Sequence, residues 1–376
     1  MRIIGIIAEY NPFHLGHLYQ INKIKELYPN SLIIAIISPC FTERGDISII
    51  NKWDKTKICL DNNIDLVVEL PTLYATQSAD IFAHGAIQIL NDLGIDTLVF
   101  GTESDNIDEI INLANIQLNN KEYDLLVKKY LDEGINYPTA MSKALYDLAN
   151  IKVDKPNDLL ALSYVKEIIR NNYKITPVSI KRTNDYHGKS INNSVISANL
   201  IRELISKDED INAYIPNGVL KYINKVSLNN GYNYLLYNII NNIDNLDCYL
   251  DVSEGIHNKI IKHINDSDNW YQLVNNIKSK RYTYNKINRM LIHILLGIKK
   301  TDNNNENYIK ILGFNNYGRD YLNKIKKNIK LPLYYGYKPD QLSILDIEFR
   351  CLYIYSLIVN DNSLITRELE NKPIIK

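Results

Sequence analysis

His14 and His17, spaced as His-Leu-Gly-His, are the residues of this 376-residue chain best placed to do chemistry. They lie between an apolar run, Ile3–Ala8, and a helix-like stretch, Leu18–Leu27. A strand that turns through Asn11-Pro12-Phe13 into a helix brings backbone N–H groups and two imidazoles to one point. A helix N-terminus offers unpaired donors and a partial positive charge, which suits a triphosphate. The imidazoles add donors, or charge, where a phosphate gains negative charge during displacement. Gly16 is expected to keep side-chain bulk away from the nucleotide. The plainer alternative is a pair of histidines that only cap a helix.

The elements that must position these groups alternate through the first 205 residues. Strands are predicted at 3–8, 32–38, 65–70, 96–100 and 175–180. Helices are predicted at 18–27, 52–62, 78–93 and 107–118, then at 122–150 with a break near Pro138, and from Pro156 to about Arg170. Continuous Ile, Leu and Val in the strands, rather than strict alternation, indicates a doubly wound α/β parallel sheet covered on both faces. Such sheets bind ligands beyond the carboxyl ends of their strands. His14-Leu15-Gly16-His17, Ser38-Pro39-Cys40, Glu69-Leu70-Pro71, Gly101-Thr102-Glu103 and Arg182 all fall at strand ends and converge on one edge. There Arg182 could hold a phosphate oxygen with its planar fork.

Composition sets the outer bounds. The length suggests two domains, 1–205 and 206–376. Hydrophobic content of 45% and charged content of 23% are ordinary for a globular protein. Cys40, Cys59, Cys248 and Cys351 form no C-x-x-C pair, which argues against a zinc site and a disulfide framework. The first apolar run is too short for a signal segment and no 18-residue apolar span occurs, so a cytoplasmic protein without a membrane anchor is expected. The 28 Tyr against 6 Phe carry little functional meaning, because Asn, Ile and Lys are in excess too, as AT-biased codons would produce.

After about Lys207 the pattern changes to helices with Asn-rich joints. The formal net charge is zero, yet residues 271–330 hold thirteen Lys/Arg against three acids. Lys278, Lys280, Arg281, Lys286 and Arg289 stand among Tyr282, Tyr284, Tyr308, Phe314, Tyr317 and Tyr321. This is the footprint of a phosphate-backbone binder whose tyrosines stack on unpaired bases. A solvated helical face with core tyrosines is the competing reading.

Taken together these residues resemble the HIGH-motif nucleotidyltransferase superfamily, and within it the bacterial tRNA(Met) cytidine acetate ligases. The resemblance starts at Ala8-Glu9-Tyr10-Asn11-Pro12-Phe13-His14-Leu15-Gly16-His17 and runs through Arg44-Gly45, Glu69-Leu70-Pro71 and Tyr74–Asp80. It continues through Phe100–Glu103, Pro156-Asn157-Asp158, Lys181-Arg182, Tyr186-His187 and Ile196-Ser197-Ala198, then Ser279–Thr283 and Leu312-Gly313-Phe314. It departs at Glu43-Arg44-Gly45-Asp46, where the family reads Gln-Arg-Gly-Glu, and at Asn199, where Thr is common.

The resemblance implies a Rossmann-like sheet followed by a mainly helical, basic tRNA-binding domain. It implies that acetate and ATP form acetyl-adenylate, whose acetyl group passes to N4 of the wobble cytidine of elongator tRNA(Met). His14, His17 and Arg182 would be catalytic. ATP would contact Ile7, Ala8, Glu9, Tyr10, Asn11, Pro12, Phe13, His14, Leu15, Gly16, His17, Leu18, Tyr19 and Gln20, together with Gly101, Asn157 and Arg182. Gly101 would let the nucleotide lie on the backbone, and Asn157 would bond base or ribose. Mg2+ is expected, held mainly by phosphates and water, with Glu9, Glu69 and Glu103 as protein carboxylates nearby and no assigned protein ligand. His84 reads as a packed or surface residue, His187 stays open between a family position and a hydrogen-bonded histidine, and His257, His263 and His293 have no metal spacing. No protein partner is indicated. The alternatives are an adenylyltransferase for a phosphate-bearing coenzyme precursor, which leaves the basic half idle, and a non-catalytic RNA-binding protein.

Overall fold

A computed structural model describes residues 1–182, 195–304, 307–337, 343–370 and 372–376. The pair Tyr186-His187 therefore lies outside the described residues. The first part of the chain runs β1 (Ile3–Ala8), α1 (Leu15–Leu27), β2 (Leu32–Ile37), α2 (Lys52–Asp61), β3 (Leu66–Glu69), α3 (Thr72–Ala75), α4 (Ala79–Asp92) and β4 (Thr97–Thr102). It continues α5 (Ile107–Asn119), α6 (Lys121–Asp132), α7 (Tyr137–Ala149), α8 (Pro156–Arg170) and β5 (Thr176–Lys181). Asn residues 51, 106, 120 and 136 cap α2, α5, α6 and α7, and Asn136 sets the break anticipated near Pro138.

The second part runs α9 (Ala198–Ser206), α10 (Tyr232–Asn241), α11 (Ile256–His263), α12 (Trp270–Ile277), α13 (Tyr284–Leu296), β6 (Ile309–Phe314) and α14 (Asn316–Ile325). It ends with β7 (Leu333–Tyr334), α15 (Ser343–Val359), α16 (Ser363–Leu369) and β8 (Ile374–Ile375).

The sheet order is β5-β4-β1-β2-β3-β6-β7, with β8 also on β6. The strands β1 to β5 pair in parallel and β6 runs antiparallel to β3, with Leu66 opposite Phe314 and Glu69 opposite Lys310. Two cores flank the sheet. One face packs α4, α5 and α8. The other packs α1 and α2 and runs without a break into α10, α12 and α13. This continuity, and the strands β6 to β8, differ from an expectation of helices alone after residue 207. A six-residue strand with a lysine inside leaves little periodic signal.

That lysine explains how β6 is held. Lys310 is 1% exposed and lies 3.3 Å from Glu69, and it also meets Glu368. Lys52 lies 2.9 Å from each of the same carboxylates. Burial pushes the Glu368 carboxyl up, but Lys310 and Lys52 outweigh it and hold it at about 2. Lys310 thus belongs to a buried charge cluster and leaves the basic surface. Lys310→Ala should destabilise the protein by about 3–5 kcal/mol, because it leaves two buried carboxylates to share Lys52 alone. Urea unfolding at neutral pH checks this, and a loss under about 1 kcal/mol would show that the cluster relaxes.

Candidate active site

The chain leaves β1 through Tyr10, whose φ is 46°, and a cis Asn11–Pro12 peptide. Asn11 is buried and fixes this turn from both sides. Its amide donates to the Ile47 carbonyl at 3.0 Å and accepts from the Ile49 N–H at 2.8 Å, while Arg202 donates to its carbonyl at 2.7 Å. Phe13 is fully buried, 4.9 Å from the Tyr10 ring. The turn is therefore a rigid platform from which α1 departs.

His14 caps α1, so the helix begins at Leu15 rather than Leu18. The Gly16 N–H donates to His14 Nδ1 at 2.9 Å, and the His14 N–H donates to His17 Nδ1 at 3.2 Å. The rings stack with centroids 3.8 Å apart. Both Nδ1 atoms act as acceptors, so in each neutral ring the proton sits on Nε2. The two histidines are caps and donors at once: the cap consumes one nitrogen and leaves an N–H on the other.

This changes where the donors come from. The Leu15 N–H goes to the Tyr214 carbonyl at 3.0 Å, and the N–H groups of His17 and Leu18 go to the His14 carbonyl. The first-turn backbone donors are thus occupied, and the imidazole Nε2–H groups take their place. Gly16 serves the ring as well: a Cβ there would meet His14 Cε1 at 2.7 Å. Its bareness makes room for the imidazole.

Burial, reinforced by Arg182, lowers His14 to about 3, and burial together with His14 and Arg182 lowers His17 well below its usual value. Both rings are neutral near pH 7, so they supply donors and no charge. The unfolded chain binds a proton near pH 6.5 that the folded chain refuses. His14 therefore costs no stability above about pH 6.5 and progressively more as the pH falls toward 3. His14→Asn, which keeps a capping side chain, should remove about 2 kcal/mol of the stability lost between about pH 7.5 and pH 5. Urea titrations of both proteins at the two pH values test it; equal losses would mean that His14 is protonated in the fold.

The cleft beyond the strand ends measures about 610 Å³. Ile7, Ala8, Glu9, Tyr10, Asn11, His14, His17, Gln20, Gly101, Asn157 and Arg182 line it. Gly16 and Tyr19 line an adjoining recess of about 60 Å³. Pro12, Phe13, Leu15 and Leu18 line neither. The Arg182 N–H donates to the Thr102 carbonyl at 2.9 Å, extending the β4–β5 pairing, and its Nε is buried without an acceptor among the described residues. A Cβ at Gly101 would come within 3.2 Å of Arg182 Cγ, so this glycine gives room to the arginine.

The expected acidic residues part company. Glu103 accepts from Asn157 at 2.5 Å and from the Asp158 N–H at 3.2 Å, while Asp158 accepts from the Glu103 N–H at 2.9 Å. This reciprocal clasp ties β4 to the start of α8 and makes Glu103 a helix cap. Glu69 is buried in the charge cluster described above, away from the cleft. Glu9 alone of the three lines the cleft, and it accepts from the Glu43 N–H at 2.7 Å. Among the described residues no group of three His, Cys, Asp or Glu could hold a metal ion. A few separate carboxylates, Glu9 with Glu43 and Asp80 on the cleft wall, fit an ion carried mainly by phosphates.

The basic segment divides too. Lys278, Lys280 and Arg281 are exposed, and Lys286 is half-buried with its ammonium 4.8 Å from the Tyr282 ring. Arg289 is only 9% exposed, donates to the Glu43 carbonyl at 2.8 Å and lines the cleft. Of the aromatics only Tyr284 and Tyr317 are exposed; Tyr282, Tyr308, Phe314 and Tyr321 are buried and cannot stack on bases. His84 pairs with Glu167 at 2.7 Å, and His293 is buried with its Nε2 3.1 Å from the Thr76 hydroxyl. Arg202 lines the cleft as well and holds Asp46 at 3.2 Å; Thr283 and Asn285 line the cleft from α13 and its cap. Ser197 caps α9 by accepting from the Leu200 N–H.

This geometry can be set beside known proteins. The profile of the family described as HIGH Nucleotidyl Transferase matches residues 1–370. The tRNA(Met) cytidine acetate ligase of Caldicellulosiruptor saccharolyticus is 38% identical over 95% of this chain and 94% of its own length. That of Clostridium novyi is 35% identical over 95% and 96%. The apo crystal structure of Thermotoga maritima TmcAL matches with a TM-score of 0.91 at 26% identity, covering 100% of this chain and 99% of that one. The same protein bound with alpha-thio ATP matches with a TM-score of 0.88 over the same spans. With near-complete coverage in both directions, the chain belongs to the HIGH nucleotidyltransferase family and, within it, to the tRNA(Met) cytidine acetate ligases.

Proposed function

We propose that the cleft binds ATP and acetate, forms acetyl-adenylate, and delivers the acetyl group to N4 of the wobble cytidine of elongator tRNA(Met), giving N4-acetylcytidine. An acetate oxygen attacks the α-phosphorus, the bond to the bridging oxygen breaks and pyrophosphate leaves. The cytidine amine then attacks the acetyl carbonyl, AMP leaves and N4 gives up one hydrogen. The observation that carries this reading is the pair of neutral Nε2–H donors beside Arg182, at the carboxyl ends of the strands. Displacement at phosphorus needs mainly positioning and neutralisation of the leaving group.

His14 and His17 donate to phosphate oxygens, and Arg182 spans another with its fork. Asn157, oriented by Glu103, reaches the nucleoside. A Mg2+ ion held mainly by the phosphates would neutralise the pyrophosphate further, and Glu9 on the cleft wall would be available to help hold it. Residues 1–205 supply the nucleotide site, and residues 206–376 grip the tRNA through Lys278, Lys280, Arg281 and Lys286. An anticodon-loop base is unpaired, so presenting it costs less than extracting one from a duplex. Among the described residues no helix is long and apolar enough to cross a membrane, and a cytoplasmic setting matches a tRNA substrate.

The test is acetate-dependent ATP–pyrophosphate exchange without RNA, with propionate and phosphopantetheine as comparison substrates. Exchange with acetate, followed by acetylation of a tRNA(Met) transcript, is the expected result. Exchange with phosphopantetheine alone would move the protein to coenzyme synthesis.

A further inference from the structure

We propose that Glu43 and Arg289 form the subsite that reads the Watson–Crick edge of the acceptor cytidine, an inference that rests on the function proposed above. The two residues lie 246 positions apart and meet because the Thr42–Asp46 turn docks on α13. Gly45, at φ 72°, makes the contact possible: a Cβ there would stand 2.6 Å from the Arg289 backbone nitrogen. Arg289 donates to the Glu43 carbonyl at 2.8 Å and lies 3.5 Å from its carboxylate, and both side chains line the cleft that holds the two imidazoles.

Two features point to a ligand here. Arg289 is about nine-tenths buried, yet its Nε is without an acceptor among the described residues. A buried donor left unmade is costly, and a cleft ligand offering acceptors would satisfy it. Glu43 presents the opposite polarity beside it, an acceptor next to a donor.

Cytosine carries the complementary pattern, an amine at N4 followed by acceptors at N3 and O2. A carboxylate accepts from N4–H, and a guanidinium can serve the two acceptors. Uracil would set its O4 against the carboxylate, and adenine lacks the O2 acceptor. One N4–H survives in the amide product, so Glu43 can hold that hydrogen while the other leaves.

Position supports the same assignment. Thr283 and Asn285, at the start of α13, line the cleft, and the exposed Lys278, Lys280 and Arg281 immediately precede them. A backbone tracked along the basic segment would bring its unpaired base into the cleft beside Arg289.

The test compares binding of tRNA(Met) transcripts carrying cytidine or uridine at the wobble position. Wild-type protein should prefer cytidine by about tenfold or more. Glu43→Ala should erase the preference, and Glu43→Gln, which keeps an acceptor, should retain part of it. Arg289→Lys keeps the charge without the fork and should also weaken it. In the same Glu43→Ala protein, kcat/KM for acetylation should fall at least about tenfold more than the exchange rate. A wild-type protein indifferent to the base, or variants that keep the full preference, would overturn the proposal. Equal loss of exchange and acetylation would do so as well, by assigning the pair to the adenylate step. Binding needs neither acetate nor ATP, so missing exchange in the wild type would strike the proposed function and leave the base comparison to decide on the pair.

Discussion

Replacing His17 with alanine is expected to slow acetate-dependent ATP–pyrophosphate exchange by about 100- to 1,000-fold, the usual cost of losing one preorganised donor to developing charge. The geometry makes the expectation specific. His17 Nδ1 is committed to the His14 N–H, which leaves its Nε2–H as the donor on the cleft side. Burial keeps the ring neutral, so the lost contribution is a directed hydrogen bond rather than a charge. Such a donor acts most where negative charge grows, and kcat should therefore fall more than the affinity for ATP. Circular dichroism and nucleotide binding by the variant separate chemistry from misfolding. Unchanged exchange in a folded variant would refute the role given to this imidazole.

A second large effect is expected from reversing the basic surface. The double variant Lys280→Glu, Arg281→Glu should lower tRNA acetylation by about 100-fold or more at moderate salt, because phosphate contacts dominate RNA affinity. Both side chains are exposed, and among the described residues Arg281 pairs with Glu254 at 2.8 Å. An exposed pair of this kind contributes at most about 1 kcal/mol, so the fold should survive its loss. Acetate-dependent exchange without RNA should persist, and the salt dependence of tRNA binding should become shallower. Equal loss of both activities in a folded variant would mean that this segment is no separate docking surface.

Much of the sheet was legible in the chain. The runs at Ile3–Ala8 and Leu32–Ile37 are continuously apolar because both faces of a central parallel strand are covered, and such runs can be read without knowing what covers them. His14, His17 and Arg182 could be assigned to strand ends for the same reason, since β1 leads into α1 and β5 ends at Lys181. The strand at Ile309–Phe314 could not, because Lys310 breaks its apolar character and is neutralised by Glu69 and Glu368 from distant parts of the chain. Nor could the fate of the tyrosines: Tyr284 and Tyr308 are alike in sequence, yet one is exposed and the other fully buried.

The sequence by itself determined the α/β sheet, the strand-end edge where the cleft opens, the His-x-Gly-His turn and the family. These are local matters, set by side-chain periodicity, turn residues and short spacings. Only the tertiary structure decided which nitrogen of each imidazole is available and that the backbone donors of α1 are already occupied. It also decided that Gly16 and Gly101 make room for His14 and Arg182, and that Arg289 faces the cleft rather than the solvent. Each of these depends on atoms brought together from far along the chain, where hydrogen-bond partners and burial, not residue type, set the chemistry.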